Sequence, residues 1–331
     1  MAFLVSLFFG VVPMFLFACI IYWLDRYEKE PKVLLGMVFT WGAIVAAGSA
    51  FLLNTILGLG VYLVTNSESL TNLSTDSVIA PVIEECLKAF AVLIVAVFFY
   101  REFDSLLDGI VYAAITALGF AATENTYYIY TYGYQEQGWA GLFGLVFVRV
   151  VLVGWQHPFY TAFTGIGLAS ARLNRNLWAK VTFPLLGLSV AILAHAAHNT
   201  LANFVSGAAG LVATAIFDWS GWLLMLGYII WAISRDQRSM AANLREEVAL
   251  GILTTAQYHT ACSAWLQGLA RLQSLFSGQY RATARFYQTA AELAHKKEQL
   301  RRLGEEGGNT PIIEDLRKEL AQLATRAYSQ P

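Results

Sequence analysis

Seven long apolar stretches are the feature that most restricts how this chain can fold. They occupy residues 2–24, 33–64, 77–100, 106–130, 139–171, 178–203 and 209–233. A helix needs about 20 predominantly apolar residues to cross a bilayer, and a spanning segment must satisfy its own backbone hydrogen bonds. We therefore predict an all-α, polytopic membrane helix bundle of about seven transmembrane helices.

The composition agrees with a multi-pass protein of the cell membrane. Of the 331 residues, 57% are hydrophobic and 14% are charged, and the mean hydropathy is +0.52. Soluble domains carry about 25% charged residues, which argues against a purely soluble enzyme, a nucleic-acid-binding protein or a disordered scaffold. No P-loop or G-x-G-x-x-G motif indicates nucleotide binding, and three distant cysteines define no disulfide framework. The expected partners are the lipid bilayer and no nucleic acid.

Basic residues in the loops predict the orientation of the spans. Segments 25–32, which includes Arg26, and 171–180 each contain three Lys or Arg residues, and Arg101 follows the third span. The intervening loops contain no Lys or Arg: 65–76, 131–138 and 204–208. Because basic loops favour the cytoplasm, we expect the N-terminus outside and the C-terminus inside.

That orientation requires segment 139–171 to cross the membrane only once. Pro158 disfavours helical geometry at the residue before it. We therefore expect this segment to be kinked or broken at His157.

The pattern changes after Ser234 to that of soluble amphipathic helices, expected near 254–276, 279–303 and 311–328. Residues 235–331 contain 13 Lys or Arg and 10 Asp or Glu, a net charge of +3, with both signs interspersed. We expect a transmembrane domain over residues 1–235 and a cytosolic helical region over 236–331. Four apolar residues recur at helical spacing and are expected to form a small core: Trp265, Leu269, Leu272 and Leu275.

Ionisable residues inside the predicted spans indicate a functional site. A charge at mid-membrane costs about 2.5–3.5 kcal/mol on insertion scales, so such residues must share a polar interior. They are Glu84, Glu85, Lys88, Glu124, Arg149, His157, His195, His198 and Asp218. The residues leave the roles of Arg149 and Asp218 open.

The third span carries an E-E-x-x-K pattern formed by Glu84, Glu85 and Lys88. Glu84 and Lys88 are four residues apart on one helix face and can pair. Glu85 is rotated by about 100° from Glu84, so one carboxylate can be held by Lys88 while the other meets a water or a metal. Such a division of roles suits acid/base chemistry, although Lys88 could instead neutralise a helix-packing contact.

Later spans supply further groups of the kind that bind metals or transfer protons. Glu124 lies one turn beyond Phe120, and His157 precedes Pro158. On the sixth span, His195 shares a face with Asn199, and His198 is near enough to share a ligand. Taken alone, Glu124 could serve a single interhelical hydrogen bond. Together with the glutamates of the third span, these residues form a candidate catalytic or metal site.

These motifs resemble those of the PrsW family of membrane-embedded proteases, which is related to the type II CAAX prenyl endopeptidases. The family pattern is E-E-x-x-K, then F-x-x-x-E, then histidines on later helices, and the resemblance covers roughly residues 20–235. It also includes the segment from Asp25 to Pro31 and the pair Asp108-Gly109. The resemblance implies hydrolysis of a peptide bond in or next to the membrane, in a peptide or membrane-protein substrate such as a single-pass anti-sigma factor.

Two mechanisms fit the residues that carry this resemblance. In the first, Glu84 or Glu85 activates water beside Lys88 and Glu124, and His195 and Asn199 donate hydrogen bonds to the developing oxyanion. In the second, a Zn²⁺ ion is bound, with a glutamate as base. Its ligands would be His157, His195, His198 and Glu124. Glu124 stands where the prenyl endopeptidases have a histidine, which favours the metal-dependent mechanism.

Two other classes of protein use buried Glu and His residues. A proton-coupled transporter would use them as a relay and would produce ion flux. A non-catalytic scaffold would use them for helix packing, and a Glu85→Gln substitution would leave its phenotype intact. The residues themselves indicate no oligomeric state.

Overall fold

The structure is a computed structural model that describes residues 1–25, 27–204, 207–305 and 308–327. Arg26, which contributes to the predicted orientation, and Tyr328, the predicted end of the last helix, lie outside these residues. Within the described ranges, every regular element is a helix. The expected all-α fold is therefore confirmed.

Fourteen α-helices follow one another in the described residues. The first seven are α1 (Ala2–Leu24), α2 (Lys32–Thr40), α3 (Ala47–Thr65), α4 (Glu68–Ser74), α5 (Ala80–Phe98), α6 (Leu106–Tyr128) and α7 (Glu136–Val146). The other seven are α8 (Gln156–Arg172), α9 (Leu177–Phe204), α10 (Gly207–Ala249), α11 (Thr255–Ala261), α12 (Ala264–Phe276), α13 (Tyr280–Leu303) and α14 (Asn309–Ala327). In the same described residues, three π-helical segments join successive α-helices without a turn: Trp41–Ala46, Thr75–Ile79 and Ile129–Gln135. A fourth, Phe147–Leu152, follows α7 directly.

Five helical runs in the described part of the chain are long and apolar enough to cross a membrane. They are Ala2–Leu24, Lys32–Thr65, Leu106–Arg172, Leu177–Asn203 and Gly207–Ala249. The helix α5 is not among them, because its 19 residues concentrate three charges, Glu84, Glu85 and Lys88. The membrane helix bundle is thus confirmed, whereas the count of seven spans and the N-out, C-in orientation remain predictions.

The run Leu106–Arg172 folds back on itself and then breaks. Gly138 has φ 64° and ψ −150°, a conformation that favours glycine, and Gly133 packs against Gly141 across the reversal. The chain then leaves helical geometry at residues 153–155. The break therefore precedes the predicted position at His157. Pro158 lies instead in the first turn of α8, where its missing N–H is tolerated.

A close glycine contact sets α8 against α6. A Cβ atom added at Gly109 would lie 2.3 Å from the carbonyl oxygen of Gly165, and one at Gly165 would lie 2.0 Å from the carbonyl oxygen of Gly109. Small residues let two membrane helices approach this closely. The contact aligns the first turns of α8 with the turn of α6 that carries Glu124.

Contacts along the chain define two compact units. The membrane unit comprises Met1–Leu24, Glu30–Arg172 and Asn176–Tyr228. The second unit comprises Asp25–Lys29, Leu173–Arg175 and the described residues from Ile229 onwards. Because α10 continues through residue 235, the predicted domain limits 1–235 and 236–331 remain predictions.

The second unit has an apolar core of its own. It is built from side chains of α10, α11, α13 and α14 together with Tyr27: among them are Met240, Leu244, Ala261, Phe286, Tyr287, Leu293, Ile313 and Leu320. The helix α12 contributes little to it, because Trp265, Leu269, Leu272 and Leu275 are exposed. The expectation that these four residues form a core is wrong. Periodicity identifies an apolar helix face, but not what that face contacts.

Candidate active site

A polar network lies in the interior of the membrane unit, among four helices. It contains Glu84, Glu85 and Lys88 of α5, Glu124 of α6, His157 and Thr161 of α8, and His195 of α9. Packing of α5, α8 and α9 around one another brings these distant sequence positions together. The network is enclosed, so each polar group needs a partner or a ligand.

Glu85 is the most fully bonded carboxylate of this network. Its Oε1 lies 2.5 Å from Lys88 Nζ and 3.0 Å from His195 Nδ1, and its Oε2 accepts a 2.8 Å hydrogen bond from Thr161 Oγ1. Glu85 and Lys88 are both 0% exposed. The predicted pair between Glu84 and Lys88 is therefore wrong. Residues three apart are also neighbours on a helix, and Glu85 is the glutamate that meets α8 and α9.

Glu84 is buried but retains an oxygen atom without a hydrogen-bond partner. Its Oε1 accepts a hydrogen bond from Asn54 Nδ2 at 3.3 Å. Its Oε2 has none, and lies 3.8 Å from Nε2 of His195. The other ring nitrogen of His195 contacts Glu85, so the imidazole is held with Nε2 towards the free carboxylate oxygen. A water or a metal ion is what such a pair of atoms can share.

The F-x-x-x-E motif on α6 places the Glu124 carboxylate beside His157, the second histidine of the network. Lys88 Nζ lies 4.5 Å from the ring centre of Phe120, a cation–π contact. One turn later, Glu124 Oε2 lies 2.8 Å from His157 Nε2. Lys88 Nζ is also 3.4 Å from Nδ1 of the same imidazole. Both histidines of the network thus have a carboxylate at one ring nitrogen.

Arg149 acquires a role from its contacts. Its guanidinium lies 2.5 Å from Glu124 Oε2, donates a 2.9 Å hydrogen bond to Asn125 Oδ1, and stands 4.1 Å from the ring centre of Tyr128. These contacts fix the carboxylate that orients His157. Arg149 is therefore linked to this histidine through Glu124.

Asp218 supports His195 through an aromatic ring. It accepts a 2.8 Å hydrogen bond from the hydroxyl of Tyr160, whose ring stacks on His195 with centroids 5.1 Å apart and an interplanar angle of 21°. His198 Nδ1 lies 2.8 Å from the same carboxylate. His198 is thus placed beside the network through Asp218, and does not contact Glu84 directly.

Asn199 is placed away from the network. Its side-chain amide donates a 2.7 Å hydrogen bond to the backbone carbonyl of Asp76. Sequence reasoning also missed two residues that contact the site, Asn54 and Tyr160. Asn54 could have been found as an amide within an apolar stretch, whereas Tyr160 gives no signal that distinguishes it from an ordinary aromatic residue.

Three of these side chains could hold a metal ion. Glu84, His157 and His195 each offer one ligand atom, and these atoms lie within 4.8 Å of one another. Two histidines and one glutamate form a donor set of catalytic zinc sites, and ligand histidines usually have a carboxylate at their other nitrogen. The group keeps His157 and His195 of the predicted ligands, and has Glu84 in place of Glu124 and His198.

A cavity of about 110 Å³ lies next to this network. It is lined by Val151, Leu152, Val153, Trp155, Gln156, Asp218, Trp219 and Trp222. Gln156 adjoins His157 in the chain, with its Nε2 3.4 Å from the imidazole Nε2, and Asp218 holds Tyr160. The cavity therefore offers apolar space one side chain away from both histidines.

Comparison with known proteins identifies a family of membrane proteases. The model of the PrsW family of intramembrane metalloproteases matches residues 30–232. Protease PrsW of Bacillus subtilis (strain 168) is 24% identical over 243 residues, which is 72% of this chain and 96% of that protein. Protease PrsW of Clostridioides difficile (strain 630) is 27% identical over 231 residues, which is 69% of this chain and 88% of that protein. No solved structure matches.

The match covers more than half of the 331 residues and includes every residue of the network. The resemblance seen in the motifs is thereby confirmed, as is a peptidase activity carried by a multi-pass membrane protein. The chain belongs to the PrsW family of intramembrane metalloproteases.

Proposed function

We propose that this peptidase hydrolyses a peptide bond in or next to the membrane, with Glu84, His157 and His195 as its reacting centre. The observation that carries the proposal is the unpartnered Oε2 of Glu84, 3.8 Å from His195 Nε2 in a network where the neighbouring groups are bonded. Leaving a buried polar atom unsatisfied costs about 1–3 kcal/mol. Such a cost is expected where the atom must be free to meet water, metal or substrate.

The two adjacent glutamates have different roles in this proposal. In the metal-free mechanism, Glu84 is the general base, because its Oε2 is free to take a proton from water. Glu85 is a positioning residue, because Lys88, Thr161 and His195 already use its oxygens. Lys88 balances the charge of Glu85 in the enclosed site, where an unpaired ion is costly.

The histidines act on the substrate side of the same centre. In the metal-free mechanism, His195, held by Glu85 at Nδ1, donates a hydrogen bond from Nε2 to the carbonyl oxygen that becomes an oxyanion. Asn199 remains the proposed second donor to this oxyanion, and its amide must then leave the Asp76 carbonyl when substrate binds. His157 is held by Glu124, which Arg149 anchors in turn.

In the metal-dependent mechanism, a zinc ion is the proposed cofactor, and Glu84, His157 and His195 serve as its ligands instead of as base and oxyanion donor. The family description as metalloproteases and the His₂Glu donor set support it. When bound, zinc lowers the pKa of a coordinated water and polarises a carbonyl. Lys88 stands 3.4 Å from Nδ1 of His157, so binding at this nitrogen requires the ammonium group to turn fully to Glu85. His198 is then a supporting residue on Asp218, and Glu124 a partner of His157.

The proposed substrate is a membrane protein, such as a single-pass anti-sigma factor. The cavity beside Gln156 and Asp218 provides apolar space for a side chain of that substrate. We further propose that the C-terminal helices are cytoplasmic. The predicted cytoplasmic loops supply Asp25–Lys29 and Leu173–Arg175 to the same compact unit as those helices, which supports a common side of the membrane.

The proposal is tested by comparing new N-termini of membrane proteins in cells. One culture expresses the native chain, a second the Glu84→Gln/Glu85→Gln form, and a third the Glu68→Gln form, all at matched abundance. Glu68 is an exposed glutamate in the first turn of α4 and serves as the control. Fragments shared by the native and Glu68→Gln cultures but missing from the double variant would identify substrate and cut site. Identical fragments in all three cultures would contradict the proposal.

A further inference from the structure

In the second unit, the helix α12 exposes its apolar face and buries its polar face. Trp265, Leu269, Leu272 and Phe276 follow one another at intervals of four, three and four residues, and so share one helix face. Trp265 is 72% exposed and Phe276 is 89% exposed. We call these four residues the α12 stripe.

The opposite face of α12 is polar and buried. Gln267 is 1% exposed and Ser274 is 6% exposed, and both lie about 180° around the helix from the α12 stripe. The side-chain amide of Gln267 donates a 2.7 Å hydrogen bond to the carbonyl oxygen of Ala261 and accepts a 3.1 Å hydrogen bond from Arg271. These bonds are local, but the burial of Gln267 and Ser274 shows that the polar face is the one packed against the unit, which leaves the apolar face exposed.

From this arrangement we propose that the α12 stripe inserts into the lipid surface of the membrane that holds the protein. An exposed apolar face of several large side chains marks an interaction site. A helix with one apolar face and a polar, weakly basic remainder is typical of segments that lie in the plane of a membrane interface. The tryptophan at one end suits the headgroup region.

A short covalent connection to a membrane-spanning run limits how far α12 can lie from a membrane surface. Lys29 lies three residues before α2, within about 11 Å of it even when fully extended. Its backbone is hydrogen-bonded in both directions to Gln288 of α13, at 2.9 Å and 3.3 Å. The helix α12 packs directly against α13, and a helix is about 10 Å across. Lipid is therefore within reach of the α12 stripe.

The charge around α12 agrees with a lipid partner. Residues 248–291 contain no Asp or Glu and three arginines: Arg271, Arg281 and Arg285. Of these, however, Arg285 is itself paired with Glu292 and Glu319. Basic residues near a membrane surface are each worth about 1 kcal/mol against anionic lipids. A segment that is both apolar and free of acidic residues is complementary to an anionic leaflet.

The test places an environment-sensitive fluorophore on the full chain in vesicles of phosphatidylethanolamine and phosphatidylglycerol. The label is attached through Leu272→Cys or, as the control, Asp315→Cys, in a parent with alanine at the three native cysteines. The side chain of Asp315 is 78% exposed. We expect spin-labelled lipid chains to quench the label at 272 several-fold more than the label at 315, and aqueous iodide to show the reverse order.

Two results would overturn the proposal. Equal iodide quenching at both positions would show that water covers the α12 stripe. Shielding of position 272 from both quenchers would show that a protein surface, such as a second copy of this chain, covers it. The unmodified chain provides a second measurement in case the cysteine-free parent fails to fold. A lipid-soluble photoreactive diazirine should then label the peptide 264–276 more strongly than the peptide 309–320.

Discussion

Two buried glutamates, one in each unit, show how a structural carboxylate differs from the one that we propose to be reactive. In the second unit, Glu247 is 0% exposed, and both of its oxygens are paired. Lys297 lies 2.9 Å from Oε1, and Arg317 lies 2.8 Å from each oxygen. In the membrane unit, Glu84 has one hydrogen bond from Asn54 and one oxygen with none.

Glu85 lies between these two cases and explains the difference. It shares a helix turn with Glu84, yet it resembles Glu247, because a cation and two further groups use its oxygens. A fully satisfied buried network adds rigidity. A buried carboxylate that keeps an unpaired oxygen lowers stability instead, but that oxygen can take up a proton or bind a ligand. Bonding, more than burial, therefore separates the proposed base from its neighbour.

Metal content gives the largest expected difference. We expect Glu84→Ala and His195→Ala to lose bound zinc, whereas His198→Ala retains it, because His198 pairs with Asp218. The measurement is zinc per folded chain after dialysis against zinc-limited buffer. Zinc loss in His198→Ala with retention in Glu84→Ala would favour the ligand set predicted from the sequence. A native chain that is active without zinc would contradict the proposed cofactor.

Substitution of Lys88 tests how much the buried ion pair of Lys88 and Glu85 stabilises the network. A Lys88→Met substitution leaves Glu85 buried without its cation, which costs about 3–5 kcal/mol when a buried pair is broken on one side. The double variant Glu85→Gln/Lys88→Met should recover more than half of this loss, because it removes both charges. Thermal unfolding in vesicles gives both values. A loss that is equal in the single and double variants would show that the ion pair does not account for it.

Removal of Glu247 tests the comparison from the other side. A Glu247→Gln substitution should lower the stability of the second unit by about 2 kcal/mol, because Arg317 and Lys297 lose hydrogen bonds in a buried site. The effect is moderated because Glu246 remains within 2.6 Å of Lys297. The exposed pair of Asp315 and Lys318 provides the control, since Asp315→Asn should cost less than about 1 kcal/mol. Cleavage per folded molecule should stay at the native level in both variants.

Lowering the pH should reduce the stability of the second unit by less than the substitutions above. Burial raises the pKa of Glu298, but hydrogen bonds from Arg301 and Arg302 outweigh it and lower the pKa to about 2. A carboxylate with a lowered pKa stabilises the fold at neutral pH, and this contribution is lost as the pH falls from the usual value of 4.5 towards 2. The melting temperature should therefore fall over this range, and less so in Glu298→Gln. A native and a variant curve of the same slope would contradict this assignment.

Much of the fold follows from apolar length alone. The first predicted span, 2–24, coincides with α1, and the motif residues of α5, α6, α8 and α9 do meet in one network. The cost of burying charge requires such a meeting. The four-residue spacing wrongly favours Glu84 over Glu85 as the partner of Lys88, because residues three apart are neighbours on a helix as well. That choice depends on how α5 is rotated towards α8 and α9.

Two other features could not be predicted for related reasons. The apolar residues of α12 expected to form a core are exposed, and the buried side chains are Gln267 and Ser274. Spacing records that a face is apolar, whereas its contacts depend on the neighbouring helices. Pro158 marks the neighbourhood of a break, but a proline is tolerated in the first turn of a helix. The break therefore precedes it, at residues 153–155.

The central claim is that Glu84, through its free oxygen, carries the chemistry, and single-turnover cleavage tests it most directly. Purified native chain, Glu84→Gln and Glu68→Gln are reconstituted in vesicles with the substrate found in cells, at equal folded fraction. We expect Glu84→Gln to slow cleavage by about 10²–10⁴-fold, the usual contribution of a general base, with little change in melting temperature. Cleavage at the native rate by folded Glu84→Gln would contradict the account.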